Sequence, residues 1–539
     1  MGQSRSVVRL RGGVHGAPWR IAASVGLVMA TAGLGLGRAS RAAQAPDLTR
    51  PPSTTPAPSS PAETRPVADL TTRYHLVERY SSTEDRERPE LIGQYRVAIR
   101  ETIRSVTDNA RGAPDRAEAV FQTIYTERPA QLTDGSAVMA AVRRYETFRA
   151  KPEPPAKPSA ARPLEGLTIW FQQRPNDDPL VLSLASNRRL RDNEYAILSR
   201  QVFLPELASA LLSPMPHRIG DRWPLSPLAA RALVGERPQR AGELGATLSE
   251  VRSDSKSGQM VAVINVTGRV GLPSGEAAVN AQLLFSFAPP VPGAGAERTE
   301  GDEGTIEARG AITELRLAVV RTAGLPGANG RPRRTQTNEM NLGRQLATPT
   351  PPLAIPEPSP TPTEANSWLT YIDPRGRFHF QHPQDLRPVP PQSEEDVVEL
   401  LDPQPLGPDV VSIEILPKSG DPRVDAQNRD PEFHRKNLKE QWLKDRVDVI
   451  PGDSDWLPEA DWAPSKMKVY RIEAAIKPGE RVAKGRVSRI FADYYLVLPS
   501  RNETLFVESK TVGEQPTAFR AQVEAMMKTF RFDAPEDIR

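Results

Sequence analysis

The chain has 539 residues, no cysteine, 55 prolines and only 38% hydrophobic residues. The missing cysteine excludes disulfides, thiolate metal ligands, cysteine nucleophiles and a lipid-modified N-terminal cysteine. The formal charge of +3 does not mark a nucleic-acid binder, because residues 1–45 hold six arginines and no acid, and taking those six away leaves −3 on the remainder.

Residues 1–45 read as a signal peptide or an N-terminal anchor. Arg5, Arg9, Arg11 and Arg20 precede an uncharged run from Ile21 to Gly37, and Arg38 to Ala45 offers small-residue cleavage after Ala42 or Ala45. The run is at the short limit for a membrane span. Cleaved or retained, it places the body in the periplasm or outside the cell. Residues 46–67 form a Pro/Ser/Thr linker with too little apolar surface to fold.

The first domain is expected over 68–345. Tyr95, Val97, Ile99 and Ile103 alternate with polar neighbours, the mark of a half-buried strand. Val120, Ile124 and Tyr125 fit a strand or a helix, and Leu167 to Phe171 is a short apolar run around Trp170. A proline tract from Lys151 to Pro163 reads as a loop. Asn193 to Leu212 carries Tyr195, Leu198, Val202, Leu207 and Leu211 and predicts one or two short helices broken at Pro205. Leu244 to Val251, Met260 to Val270, Ala277 to Phe287 and Ile306 to Val320 predict strands of an antiparallel meander, with Gly293 to Gly304 at a hairpin tip.

Residues 346–365 form a second proline-rich linker, which predicts two domains without a fixed relative placement. The second domain is expected over 366–533, followed by a tail at 534–539. Phe378, Phe380 and His382 alternate, and Val410 to Leu416 is strand-like. Asp430-Pro431-Glu432 is a helix start: a cap, a proline at the first position and an acid in the first turn. Leu438 and Trp442 follow on one face of that helix. Tyr470, Ile472, Ala474 and Ile476 give another strand, and Val487 to Leu498 with Thr504 to Lys510 a hairpin. Phe519, Val523, Met526, Met527 and Phe530 form the apolar stripe of a closing helix. The expected class is α+β: a β-rich antiparallel first domain, a meander or open clam, and a second α+β sandwich.

The second domain resembles the PsbP-like α/β/α sandwich group. The resemblance rests on Trp368 to Asp373, on Gly376-Arg377-Phe378-His379-Phe380-Gln381-His382-Pro383, on the helix–strand order, and on a last helix ending in Thr529-Phe530-Arg531-Phe532. Leu386 stands where the group usually has a tryptophan. The group implies protein binding without catalysis. The first domain, through Phe203-Leu204-Pro205 and Ile219-Gly220-Asp221-Arg222-Trp223 ahead of its strands, looks like exported envelope proteins and is similar in plan to LolA-type β-clam carriers.

No catalytic motif is present: Gly-x-Ser-x-Gly, His-Glu-x-x-His and phosphate-binding glycine loops are all absent. His379 and His382, three apart on a strand, point to opposite faces and do not chelate one ion. His15, His75, His217 and His434 are scattered. Trp223 is either a ligand-facing residue at a domain mouth or a core residue under the sheet, and the core reading is preferred; Met526 and Met527 belong to a core stripe. The expectation is a non-catalytic exported envelope protein with a binding or scaffold role. It has no cofactor, metal or catalytic residue, no nucleic-acid partner, an envelope or protein partner, and membrane contact only through residues 21–37. A carrier of a hydrophobic, lipid-like ligand is the alternative, and a hydrolase without a local motif is the third reading. The carrier predicts an apolar cavity of several hundred Å3, the scaffold a filled core and an exposed apolar patch.

Overall fold

The computed structural model describes residues 72–532 apart from stretches between elements, the longest being 79–93, 152–163, 290–304, 324–333 and 477–489. The leader, the 46–67 segment, the 293–304 tip, nearly all of the 151–163 tract and the 534–539 tail lie outside the described residues.

The first half is dominated by long strands. They are β1 (Arg73–Glu78), β2 (Gln94–Thr107), β3 (Asp115–Leu132), β4 (Val138–Lys151), β5 (Thr168–Gln172), β6 (Leu180–Ser183) and β7 (Leu190–Arg191). Then come β8 (His217–Arg218), β9 (Arg222–Pro224), β10 (Gly245–Ser253), β11 (Met260–Leu272), β12 (Gly275–Phe287), β13 (Thr305–Ala323) and β14 (Arg334–Ala347). All but β7 join one 13-stranded sheet, whose main path is β6-β5-β4-β3-β2-β14-β13-β12-β11-β10-β9. β13 is shared. Gly310 pairs with Phe287 on one edge and Glu78 on the other, so parallel β1 occupies the edge that β14 follows further along. A Cβ at Gly310 would sit 2.0 Å from the Ser286 carbonyl oxygen, so only glycine fits this crossing.

Period-2 alternation gives the sheet an apolar inner face and a charged outer face. Three short helices cover the inner face: α1 (Asp192–Leu198), α2 (Leu204–Leu211) and α3 (Pro227–Val234). Pro205 begins α2 rather than breaking a longer helix. Ser226 caps α3 by accepting from the Ala229 amide at 3.2 Å, and Gly235 ends it with a φ of 69°. Leu198, Leu207, Leu211 and Leu233 share one core with Ile264, Leu283, Phe285, Ile312 and Leu315. The clam expected to be open is therefore filled by its own helices.

The second half contains α4 (Glu364–Ser367), β15 (Leu369–Ile372), β16 (His379–His382), β17 (Arg387–Val389), β18 (Val397–Leu401) and β19 (Val410–Leu416). It continues with α5 (Pro422–Asn428), α6 (Pro431–Lys444), β20 (Val449–Trp456), α7 (Glu459–Trp462), β21 (Lys468–Ile476), β22 (Ile490–Leu498), β23 (Thr504–Thr511) and α8 (Pro516–Lys528). Its seven-stranded sheet runs β17-β18-β19-β23-β22-β21-β20. On one face α6 brings Leu438 and Trp442 to Tyr470, Tyr494 and Phe506. On the other, Phe519, Val523, Met526 and Met527 of α8 meet Ile413, Tyr495 and Val507. Helix α6 starts as read, with Asp430 accepting from the Glu432 amide at 3.0 Å.

The α+β class is corrected. Strand takes 58% of the described residues and helix 19%, so large antiparallel sheets dominate. Seven strands of the first half run to 13–19 residues, and their solvent-facing halves are polar enough to look like loop.

The expectation of unfixed placement is also corrected. Leu353 and Ile355 of the proline-rich segment pack beside Trp170, Leu180 and Leu182 of the first sheet. The Leu353 amide donates to Gln94 at 3.2 Å, and its carbonyl accepts from Arg128 at 2.7 Å. β15 then pairs in parallel with β7, making a three-stranded sheet from both halves.

Candidate functional site

Alternation places Val97, Ile99, Glu101 and Ile103 of β2 on the inner face. Register puts Leu342 and Thr123 beside Ile99, Met340 and Phe121 beside Glu101, and Asn338 and Ala119 beside Ile103. Glu101 is thus the acid at the centre of a largely apolar floor. Ala196 and Ile197 of α1, with Arg200 and Gln201 just after it, form the opposite wall of a crevice. Its enclosed space is about 30 Å3, room for ordered water and not for a lipid chain.

Burial raises the Glu101 pKa, and a 2.7 Å hydrogen bond from Asn338 with the nearby Arg200 and Arg321 charges offsets part of that rise. Burial lowers the Arg200 pKa, against the pull of Glu101. Gln201 connects the crevice to a deeper charge network. Its Oε1 accepts from the Tyr145 hydroxyl at 2.8 Å and from Arg143 at 3.5 Å. Arg143 Nε donates to Glu127 at 2.8 Å, and its guanidinium lies 4.2 Å from the Phe171 ring centroid. Arg344 donates to Glu78 at 3.2 Å and stands 3.9 Å over Tyr95. Burial pushes Glu78 up to about 7 in spite of Arg344. These charges hold one another in place, and no nucleophile–base pair is built from them.

The residues weighed from sequence fall elsewhere. Trp223 is buried, donates to the Leu211 carbonyl at 2.9 Å and stacks on His217 with ring centroids 4.1 Å apart. Asp221 accepts from the Arg218 amide at 2.7 Å. This turn ties α2 to the sheet, which is the core reading. Met526 and Met527 are buried in the second core. His379 and His382 face opposite ways: His379 forms a backbone bridge with Arg531, and His382 is buried with Asp192 at 2.8 Å. His434 is buried against Phe506, where burial lowers its pKa. Among the described residues no three His, Asp or Glu side chains gather into a metal site, and no helix is long and apolar enough to cross a membrane.

Sequence reasoning passed over Glu101, Arg200 and the Glu127–Arg143 pair. The signal for Glu101 was the interruption it makes in the inward row Val97, Ile99, Ile103. The other pairs are far apart in the chain and leave no local pattern.

No family model matches the chain, and no curated protein matches it. Among solved structures, cyanobacterial PsbP (CyanoP) from Synechocystis sp. PCC 6803 aligns at 13% identity over 31% of this chain and 92% of that one, with a TM-score of 0.24. A LolA superfamily protein from Nitrosomonas europaea aligns at 9% identity over 48% and 88%, with a TM-score of 0.12. Ail, the attachment invasion locus protein of Yersinia pestis, aligns at 4% identity over 47% and 100%, with a TM-score of 0.10. Scores this low carry no argument about function.

Proposed function

We propose that this chain is a non-catalytic binding protein of the bacterial envelope, exported by its leader, and that a small amphipathic ligand seats at the crevice beneath α1 when α1 shifts off the sheet floor to widen it. The observation that carries this reading is Glu101 at the centre of an apolar floor, opposite Arg200. A sheet face that serves packing alone gains nothing from an acid there, because burying a carboxylate costs several kcal/mol unless it is compensated, on the order of 2–7 even for a neutral polar group. Departures from the local pattern concentrate at working sites. The basic, then apolar, then small-residue order of residues 1–45 supports export.

The test is native mass spectrometry of the protein purified from a bacterial periplasm, before and after organic extraction, alongside Ile197→Trp, which fills the crevice. The proposal expects a bound small mass that extraction removes and that the variant lacks. A bare mass before extraction contradicts it. A lipid-sized mass would instead favour the hydrophobic carrier, which needs α1 and α2 to lift, since the enclosed space is far below several hundred Å3.

A protein contact is the second reading, carried by the second domain. Leu443 is 79% exposed, with Ile450 and Trp456 exposed on β20 and Trp442 half-buried nearby. Leu443→Asp with Trp456→Ser abolishes capture of a partner on this reading and leaves crevice binding intact.

A further inference from the structure

The junction between the two halves is built around one imidazole. His382 ends β16, and Asp192 opens α1 in the other half of the chain. The ring is fully buried. Its Nε2 lies 2.8 Å from Asp192 Oδ1 and its Nδ1 lies 2.9 Å from the Pro383 carbonyl oxygen. Both neighbours are acceptors. A neutral imidazole has one N–H and one lone pair, so it satisfies one of these contacts and sets a lone pair against the other; only the imidazolium donates to both. Asp192 needs that cation in turn, because its Oδ2 is buried with no hydrogen-bond partner among the described residues.

We infer that protonated His382 is a pH-sensitive clasp that locks the second half of the chain onto helix α1 of the first. The clasp stands whether or not the crevice binds a ligand.

The neighbouring charged groups are already committed. On the β15 side, Asp373 is held by Arg377 at 2.9 and 3.0 Å, and the Tyr371 pKa is raised by burial and by the Asp373 and Asp192 charges. On α1, Glu194 bonds Arg188 and the Arg191 amide. On the loop after β16 Asp385 faces Arg174, and Arg387 at the start of β17 pairs with Asp178. His379, on the same strand, faces the other way and bridges Arg531. Among the described residues Asp192 is therefore the carboxylate that reads the ring.

The other junction contacts are insensitive to pH near neutrality. Gln384 donates to the Val181 carbonyl at 2.6 Å and accepts from the Val181 amide at 3.4 Å, in the manner of a strand partner. Burial alone lowers the His382 pKa, but the Asp192 charge and the hydrogen bonds to Asp192, Pro383 and Leu386 outweigh it and the net direction is up. A raised histidine pKa stabilises the folded form below the unfolded value of about 6.5, and that stabilisation is lost as pH rises through the folded value. Docking is thus tightest below about 6.5 and loosens as pH rises through the raised value of the folded protein.

The absence of cysteine allows a direct test. Gln259→Cys and Lys436→Cys place one spin label on an exposed position of each half. Double electron–electron resonance is then recorded from pH 5.5 to 9 on the full chain. The clasp predicts one narrow distance at low pH that broadens at least twofold by pH 9. In His382→Gln and in Asp192→Asn it predicts a broad distribution with no pH dependence, with circular dichroism confirming that each variant is folded. Arg387→Ala is the control: it widens the distribution at every pH and keeps the pH dependence. A distance that stays narrow to pH 9, or a pH dependence that survives both clasp variants, overturns the inference.

Discussion

The two sheets solve burial differently. The inner face of the 13-stranded sheet buries Glu78, Glu127, Arg143 and Arg344 among aromatic rings. The core between the seven-stranded sheet and α8 is apolar and aromatic, with Phe378, Phe380 and Phe530 stacked at centroid spacings of 5.0–6.4 Å. Its ion pairs, such as Arg520 with Asp493 and Arg471 with Glu524, lie toward the rim. Buried ion pairs add little net stability over apolar residues of the same shape. The contrast therefore separates a half built for stability from a half whose interior is polar at some cost, beside the crevice.

The largest effect that tests this contrast is Glu127→Leu. It leaves Arg143 buried without its counter-charge and lowers stability by about 4–5 kcal/mol. Adding Arg143→Met restores most of that loss, which urea unfolding would read directly. Phe380→Ala in the second half costs about 3–4 kcal/mol by opening a cavity in the aromatic stack, with no substitution elsewhere able to rescue it.

Smaller effects sharpen the comparison. Trp223→Phe costs about 1–2 kcal/mol by leaving the Leu211 carbonyl without its donor. Burial raises Glu206 to about 7. For an acid this sign means the folded state holds the proton more tightly than the unfolded state does. Stability is then greatest below about 4.5 and declines as pH rises to about 7. Glu206→Gln flattens that decline in thermal unfolding followed across the same window. Lys436→Ala removes an exposed pair with Glu440 and shifts stability by about 0.3 kcal/mol or less.

What could be read from the sequence followed strength of periodicity. Strands β10 to β13, the Asp430-Pro431 helix start and the stripe of α8 were visible because each repeats an apolar residue at its own period. β14 was not, since only Met340, Leu342 and Arg344 of its 14 residues are buried and one of those is charged. The 346–365 segment looked free because proline content reports how little it folds alone, not what it packs on. The crevice and the clasp depend on pairings such as Glu101 with Asn338 and His382 with Asp192, separated by 237 and 190 positions. Spacing of that kind leaves no trace in a local window.

The most direct test of the account is Glu101→Gln, followed by melting at pH 8 and by ligand retention in native mass spectrometry. Burial raises the Glu101 pKa and so disfavours its charged form in the fold, and the account predicts a higher melting midpoint together with loss of the bound mass, the trade expected where a site is kept at the expense of stability. A lower midpoint with the bound mass retained would contradict it, and would make Glu101 a structural residue of the sheet.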